Sequence, residues 1–537
     1  TLVVVMILPT TAPLVGMLML GNVVANAARP ANGPLDGTAV GATIKIGDQI
    51  GLVTYRVTGW EDAANKQFYN VKITGFDADG LDALAAARAA GSKVTLRIPV
   101  TFEEKFGEEK YKYAVTLIED GLNGTTKQSF YGLTEVDTLI FVDGTNYNGV
   151  ALDKFTYTVG TNGGPGKSFY GCTNMKKLEF TENCTYIGVY AFQNTGIREF
   201  VIPKKCATVD EFAFYNCKYL KTVSVASGNT AMNTLGNYVF GNSALQTLDL
   251  RNAAQLWTIQ GQPFMYDLSN INDVLKTVYL PGNVKAINLA FANCTALTNI
   301  YGFDGTKLGE AVNVPAGSPV GQHILDKAFE NCRSLTRLDI PSCNVIGSPF
   351  VGCAALDTLT FVNYYNKTIG QGLTAGNNVF GDYNPNDGTT DDAEYNEAGQ
   401  KALKVIEFKG ILNGTIEDNA FVKVTALEKV DFKGKLRSDT HIKGAFTDVT
   451  TLTDVIFNGI ESDGVADVTI ENDAFRNTGI AALDFKGITL KSNNNQDFQI
   501  WANAFSDCAN LADIKTGDIA IQNTGTFSIA GLAFTNK

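Results

Sequence analysis

The sequence predicts a repeat solenoid of β-rich α/β class: a curved stack of short units with one parallel sheet and a β-rich N-terminal cap. Three observations predict it. First, residues 323–341 spell a sentence built on Ala328-Phe329, Cys332, Leu335, Leu338 and Ile340, and that sentence returns at least a dozen times. Fixed-period self-similarity of this length is the mark of stacked units. Second, the apolar step inside the sentence is about three residues at first and two at the end, so a tight turn runs into a short strand. Third, residues 43–118 carry short runs of alternating apolar and polar residues and no clear copy of the sentence, as a capping sheet would.

The chain divides in order. Residues 1–27 are uncharged and apolar. A chain opening on Thr1 is expected to have lost a leading segment, and three readings of 1–27 stand open. They are an arm that packs into a groove of a neighbouring subunit, a signal segment ending at the small residues Ala25-Asn26-Ala27, and a membrane anchor through residues 1–20. Pro9 and Pro13 would break a spanning helix, so the arm is preferred. Residues 28–42 are rich in Ala, Gly and Pro and are expected to be a linker. Residues 43–118 form the cap. Its strands are expected at Thr43–Ile46, Leu52–Val57, Tyr69–Thr74, Val94–Pro99 and Tyr113–Ile118, with a short helix over Leu81–Ala90 closed by Gly91.

Residues 119–537 form the repeat array. Its phenylalanines, from Phe130 through Phe329 to Phe534, stand mostly roughly 20 to 30 residues apart. A three-residue strand follows most of them, for example Leu248-Asp-Leu250 and Val430-Asp-Phe432. The polar middle residues are expected to face outward while their neighbours fill the core. One unit alone buries too few side chains to offset its chain entropy, so stability comes from stacking.

The fuller sentence, Ile-x-x-x-Ala-Phe-x-x-Cys-x-x-Leu-x-x-Leu-x-Ile-Pro, is clearest at Ile187–Ile202, Val209–Val225 and Ile324–Pro341. It resembles the leucine-rich repeat of the BspA-like family of bacterial surface proteins. The resemblance covers about 110–537 well, 43–110 loosely and 1–42 not at all. It implies a secreted or surface-displayed interaction protein with no catalytic residues to transfer. The later repeats depart from it, placing Val424, Val449 and Thr478 where Cys is expected; these still fill a small core position.

The composition excludes several classes of function. The net charge is −12, which disfavours nucleic acid, because phosphate binding needs clustered cations. Two histidines leave little material for acid–base work. Six of the nine cysteines sit three residues after a repeat phenylalanine and are expected to be core thiols. Gly160-Thr-Asn-Gly-Gly-Pro-Gly-Lys-Ser168 misses the phosphate-loop spacing by one residue and is expected to be a flexible insertion. Asp249, Asp339, Asp431 and Asp484 share one repeat position, so they are expected to lie on a solvated face and not to form a carboxylate pair for glycoside hydrolysis.

The one candidate metal site is the acidic insertion with Asp382, Asn384, Asn386, Asp387 and Asp391, oxygen-bearing residues at near-alternate positions as calcium prefers. No other cofactor is expected. The candidate assembly residues are Leu2, Val3, Val4, Val5, Met6, Ile7 and Leu8 in the arm, with Leu532 and Phe534 in a last copy of the sentence whose strand does not follow. Unlike ends that match would join head to tail and give a filament. The functional expectation is a non-enzymatic, extracellular or cell-surface structural and adhesive protein, self-polymerising through those residues. The alternative is a monomeric adhesin whose concave sheet binds host or matrix protein or glycan.

Overall fold

The computed structural model describes residues 37–535 apart from internal stretches, of which the longest are 144–154, 302–322 and 383–400. The chain forms two compact units, one running to Leu256 with residues 266–269, the other taking Trp257–Met265 and Asn270 onward. Both are repeat solenoids of parallel strands.

The first unit opens on a β-meander. Gly37–Ile46 pairs antiparallel with Gln49–Glu61, which pairs antiparallel with Phe68–Phe76. Residues 37–42, expected to end a linker, are therefore strand. Gly37, Thr38, Ala39 and Val40 lie opposite Val57, Arg56, Tyr55 and Thr54, and these ladder bonds override the weak strand signal of a Gly/Ala-rich stretch. Phe68–Phe76 runs parallel to Glu109–Ile118, which also takes an unforeseen hairpin partner, Thr101–Phe106. The helix spans Ala78–Ala89. Gly91 closes it at φ +64, where its N–H reaches Arg88 O and that of Ser92 reaches Ala87 O, as a left-handed cap requires.

From Glu109–Ile118 the sheet continues into the repeats as Tyr157–Val159, Cys184–Ile187, Thr208–Val209 and Thr234–Leu235. The expected strands form further ladders, Glu199–Ile202 with Thr222–Val225 and Thr247–Asp249. A second parallel ladder, which the spacing does not predict, thus runs beside the expected one. It grows from the Ile or Val that opens each sentence: Ile118, Val159, Ile187, Val209 and Leu235 lie in register and are buried.

The second unit repeats this plan. Its longest sheet has ten parallel strands, with Ile259, Ile287, Ile324, Val345, Ile369, Ile416, Ile442, Ile470, Ile500 and Ile529 as one column. The expected strands Arg337–Ile340, Thr358–Phe361, Val405–Phe408, Lys429–Phe432 and Asp454–Ile456 form a five-stranded sheet. Later coils add a third ladder at Leu436–Arg437, Ile460–Ser462, Ile488–Leu490 and Ile519–Ile521.

The core is a column of phenylalanine rings. In the first unit Phe130, Phe169, Phe192, Phe214 and Phe240 stack at 4.9, 5.3, 5.3 and 5.9 Å. In the second, Phe421, Phe446, Phe475, Phe505 and Phe534 stack at 5.4, 5.1, 5.2 and 5.2 Å. Each ring is held by main-chain bonds. The N–H of Phe475 donates to Ala504 O at 2.8 Å, and Phe192, Phe214, Phe446 and Phe505 make the same bond to the coil after their own. On the other side, Cys172, Cys217, Cys332, Cys353 and Cys508 donate their S–H to the carbonyls of Phe130, Phe192, Phe291, Phe329 and Phe475, one coil earlier. Thr195 and Thr478 turn the hydroxyl to their own coil's phenylalanine carbonyl instead. The repeat cysteine is thus a small core donor. Its Val replacements, Val424 and Val449, keep the volume and stay buried.

Two substitutions separate these terms. Phe350→Ala empties the column and should cost about 3–5 kcal/mol. Cys353→Val keeps the volume, loses one weak bond, and should cost about 1 kcal/mol or less. Urea unfolding followed by circular dichroism measures both.

Candidate functional site

Among the described residues, two surfaces carry chemistry beyond the core: a partly exposed aromatic column in the first unit, and the charged outer face of the strands. The aromatic column starts from a backbone demand. The residue two before many of the repeat phenylalanines has a left-handed backbone: φ is 73 at Lys167, 55 at Tyr190, 56 at Phe212 and 54 at Tyr238. The residue two after it is left-handed as well, and there Asn194, Asn216, Asn242, Asn293, Asn331 and Asn477 supply the residue type that tolerates it. Their side chains bond from coil to coil, Asn242 Nδ2 to Asn216 Oδ1 and Asn331 Nδ2 to Asn293 Oδ1 each at 2.8 Å.

At the first of these positions the later coils of the second unit use Asn419, Asp473 and Asn503, which suit the backbone, while its earlier coils carry Leu289 and Lys327. The first unit uses bulky rings, which do not. Tyr190, Phe212 and Tyr238 stack at 4.9 and 5.0 Å, and stacking offsets part of the strain. Tyr215 meets Phe212 edge-on at 5.5 Å. Tyr131 and Tyr170 stack at 4.9 Å alongside. The Lys167 ammonium lies 5.6 Å from the centre of the Tyr170 ring and 5.5 Å from that of Tyr190, a cation held between two π faces. All six rings are partly exposed, and Tyr219, on the same coil as Tyr215, is exposed. Nothing in the core requires aromatic residues here. The signal was present in the triplets Tyr190-Ala-Phe, Phe212-Ala-Phe and Tyr238-Val-Phe, but it was hidden by the phenylalanine that follows each.

The strand carboxylates are ion-paired. Asp249 meets Arg251 at 2.6 Å, Asp339 meets Arg337 at 3.0 Å, Asp431 meets Lys429 at 3.0 Å and Asp484 meets Lys486 at 2.7 Å. Glu407 joins Lys433 at 2.8 Å and Arg337 at 3.4 Å. The hydrogen bond from Arg251 holds Asp249 below the usual carboxylate range, and that from Lys433 does the same for Glu407. These groups are poor proton donors. One expectation needs correcting: Asp431 is not on a solvated face but 7% exposed, because it sits in register between Glu407 and Ile456 with Lys429 folded over it.

All nine cysteines are free and buried. Burial pushes Cys172 and Cys353 up to about 12 and Cys217 to about 11, so they are not nucleophiles. His441 Nδ1 lies 2.8 Å from Thr469 Oγ1 and 3.0 Å from Glu471 Oε1, and Nε2 lies 3.6 Å from Asp439 Oδ1.

Of the sequence-derived site residues, Asp382 ends a short strand, Gly381–Asp382, paired with Asn377–Asn378. Asn384, Asn386, Asp387 and Asp391 lie outside the described residues, as do Leu2, Val3, Val4, Val5, Met6, Ile7 and Leu8 and the whole of 1–27. Leu532 is 58% exposed, whereas Phe534 is the last described ring of the core column, stacked on Phe505. Among the described residues no group of three His, Cys, Asp or Glu side chains could hold a metal ion, and no helix is long and apolar enough to cross a membrane.

A family model agrees with this architecture. The family model of the BspA type leucine rich repeat region matches in six copies, over residues 145–272, 271–379 and 398–512. No curated protein matches the chain. Among solved structures, a leucine rich cell surface protein from Faecalibacterium prausnitzii is 19% identical, over 78% of this chain and 95% of its own, at a TM-score of 0.32. A leucine-rich repeat protein from Bacteroides ovatus is 14% identical, over 91% and 98%, at 0.30. The pneumococcal vaccine antigen PcpA is 12% identical, over 89% and 98%, at 0.27.

The His441 cluster predicts a pH dependence. The hydrogen bond to Glu471 raises the histidine above its ordinary 6.5, while the same bond lowers Glu471 below 4.5. A raised histidine contributes stability that is fully present below pH 6.5 and lost as pH rises through its folded pKa. The lowered glutamate contributes stability present above pH 4.5 and lost as pH falls through its folded pKa. The pair is therefore most stabilising in mild acid. Thermal melts should show the second unit losing stability from pH 6 to about pH 8, and His441→Gln should flatten that slope.

Proposed function

The chain belongs to the BspA-type leucine-rich-repeat family, and on that premise we propose that it is a non-enzymatic protein of the bacterial cell surface that adheres to partner protein or glycan through its repeat coils. The observation that carries this reading is the aromatic column of the first unit. Tyr190, Phe212 and Tyr238 keep a strained backbone for rings the core does not use, with Tyr131, Tyr170, Tyr215 and Tyr219 beside them. Partly exposed tyrosines that cost little entropy to order are typical anchors of recognition surfaces. The outer strand face offers less, since its carboxylates and cations are already paired.

Self-association is the second reading, and one observation favours it. Ile514, Ile519, Ile521, Ile529 and Leu532 are exposed together in the last described coil, and clustered exposed aliphatics invite a partner surface. Under this reading residues 2–8 and Leu532 make the contact, and subunits join into a surface filament.

Two experiments test these readings. Replacing Tyr190, Phe212 and Tyr238 together by Asn, the residue already used at positions 419 and 503, should leave the fold intact, as circular dichroism would check. Binding of the full chain to arrays of immobilised matrix proteins and glycans should fall by about tenfold or more; equal binding would remove the aromatic column from the proposal. For the second reading, sedimentation should show oligomers that Leu532→Asp disperses, and a concentration-independent monomer would contradict it.

A further inference from the structure

Charge pairing on the outer face of the second unit is uneven. At several strands one cation meets one carboxylate, as Lys429 meets Asp431, Lys486 meets Asp484 and Lys515 meets Asp513. Two carboxylates break this pattern. Glu407 lies 2.8 Å from Lys433 and 3.4 Å from Arg337, and the charge of Lys409 acts on it as well. Glu461 lies 2.9 Å from Lys435, 3.3 Å from Lys491 and 3.5 Å from Arg437. Each of the two is thus shared by three cations. Asp339 adds a third carboxylate, but it too is shared, by Arg337 and Lys409. Asp431, beside Lys433, is taken by Lys429.

Depth decides which sign this surface shows. The side chains of Glu407 and Glu461 are 17% and 14% exposed, whereas those of Lys409, Lys433, Lys435 and Lys491 are 43% to 49% exposed. The shared carboxylates lie beneath, and the ammonium groups stand over them. Arg437 touches Glu461 through Nη2, and its Nε has no partner. The two clusters form one row. Gly434 alone separates Lys433 from Lys435. The strands beneath are in register from Arg337–Ile340 to Asp454–Ile456, and Ile460–Ser462 pairs onward with Ile488–Leu490, which Lys491 follows. Six successive coils at strand spacing give a row about 24 Å long.

Holding the coils together does not require this excess. An exposed ion pair adds little stability, and further cations around a paired carboxylate repel one another. The excess also runs against a net charge of −12. The row is therefore a local field opposite in sign to the rest of the chain.

We propose that this row binds a sulfated glycan, a linear polyanion laid across the coils from Arg337 to Lys491. Sulfate oxygens accept hydrogen bonds from guanidinium forks and ammonium groups alike. A single thin chain can follow the row and keep clear of the acidic remainder, whereas a duplex or an anionic membrane presents a broad negative surface to it. None of the row's side chains is aromatic, so the row offers a nucleic-acid base no stacking platform. It lies in the second unit, apart from the aromatic column, and shares with the proposed function only the premise that the chain meets partners outside the cell.

Heparin, as a model sulfated chain, tests this with the full protein. Immobilised heparin should retain the chain at physiological salt and release it as salt rises, because each contact displaces a counterion. Lys409→Gln, Lys435→Gln and Lys491→Gln together remove three exposed cations yet leave Glu407 with Lys433, Glu461 with Arg437 and Asp339 with Arg337. Affinity should fall about tenfold or more, and the slope of log affinity against log salt should shrink by about 2. The same charge change in the first unit, Lys177→Gln with Lys204→Gln and Lys218→Gln, should leave both values unchanged. So should Tyr190→Asn with Phe212→Asn and Tyr238→Asn, which separates this row from the aromatic reading. Should the row variant fail to fold, as judged by circular dichroism, Lys491→Gln alone decides, with a several-fold loss. No retention of the native chain at physiological salt, or equal losses in the two lysine variants, would overturn the proposal. Tighter binding of a single-stranded oligonucleotide or of phosphatidylglycerol vesicles than of heparin would overturn it too, as would loss of heparin in the aromatic variant alone.

Discussion

The N–H of most repeat phenylalanines donates to the carbonyl of the residue before the next phenylalanine, as Phe192 does to Ala213 and Phe475 to Ala504; Phe380 gives its N–H to the Asn378 side chain instead. That main-chain bond sets the distance at which neighbouring rings stack, near 5 Å in most coils, and it matches the 4.7–4.9 Å spacing of paired strands. Rings and ladders can therefore run in step. Most other features of the repeat follow. The residue before the ring is usually Ala because its carbonyl must come close to the next amide. The residue three after it is small and often carries a donor, because the phenylalanine carbonyl accepts from the coil above. In most coils the positions two before and two after the ring take left-handed backbone, because the chain must reverse within a few residues to present both groups.

This constraint explains which parts of the fold were legible in the sequence. The ring period, the buried cysteine and the strand after each Leu pair are core positions, repeated often enough to stand out. The second ladder was not legible, since strands such as Thr208–Val209 and Thr415–Ile416 are two residues long and show no alternation; only stacking makes them strands. The strand over residues 37–42 was missed for a similar reason, its signal lying in its partner and not in its own Gly/Ala-rich composition. Asp431 was misplaced because a repeat position specifies direction, whereas burial depends on what the neighbouring coil folds over it.

The candidate functional residues were harder to see, for a related physical reason. Repetition draws attention to what every coil shares, and function here lies in what a few coils do differently. Tyr190, Phe212 and Tyr238 stand where the backbone would accept Asn more easily. Asp120 belongs to no repeat column, and its burial appears only once the glycine loop is folded across the preceding coil. Only the glycines of that loop were visible in the sequence, and they pointed to a flexible insertion, whereas main-chain bonds tie the loop to the coils on either side.

The account makes the phenylalanine amide ladder the element on which stacking depends. Native-state hydrogen exchange tests that most directly, because it reads each amide separately. The amides of Phe192, Phe214, Phe446 and Phe475 should be the slowest in their units and should exchange together, with the protection of global unfolding. If they exchange faster than the strand amides of Val223, Val430 and Ile442, the ladders and not the ring column hold the coils together, and the account is wrong.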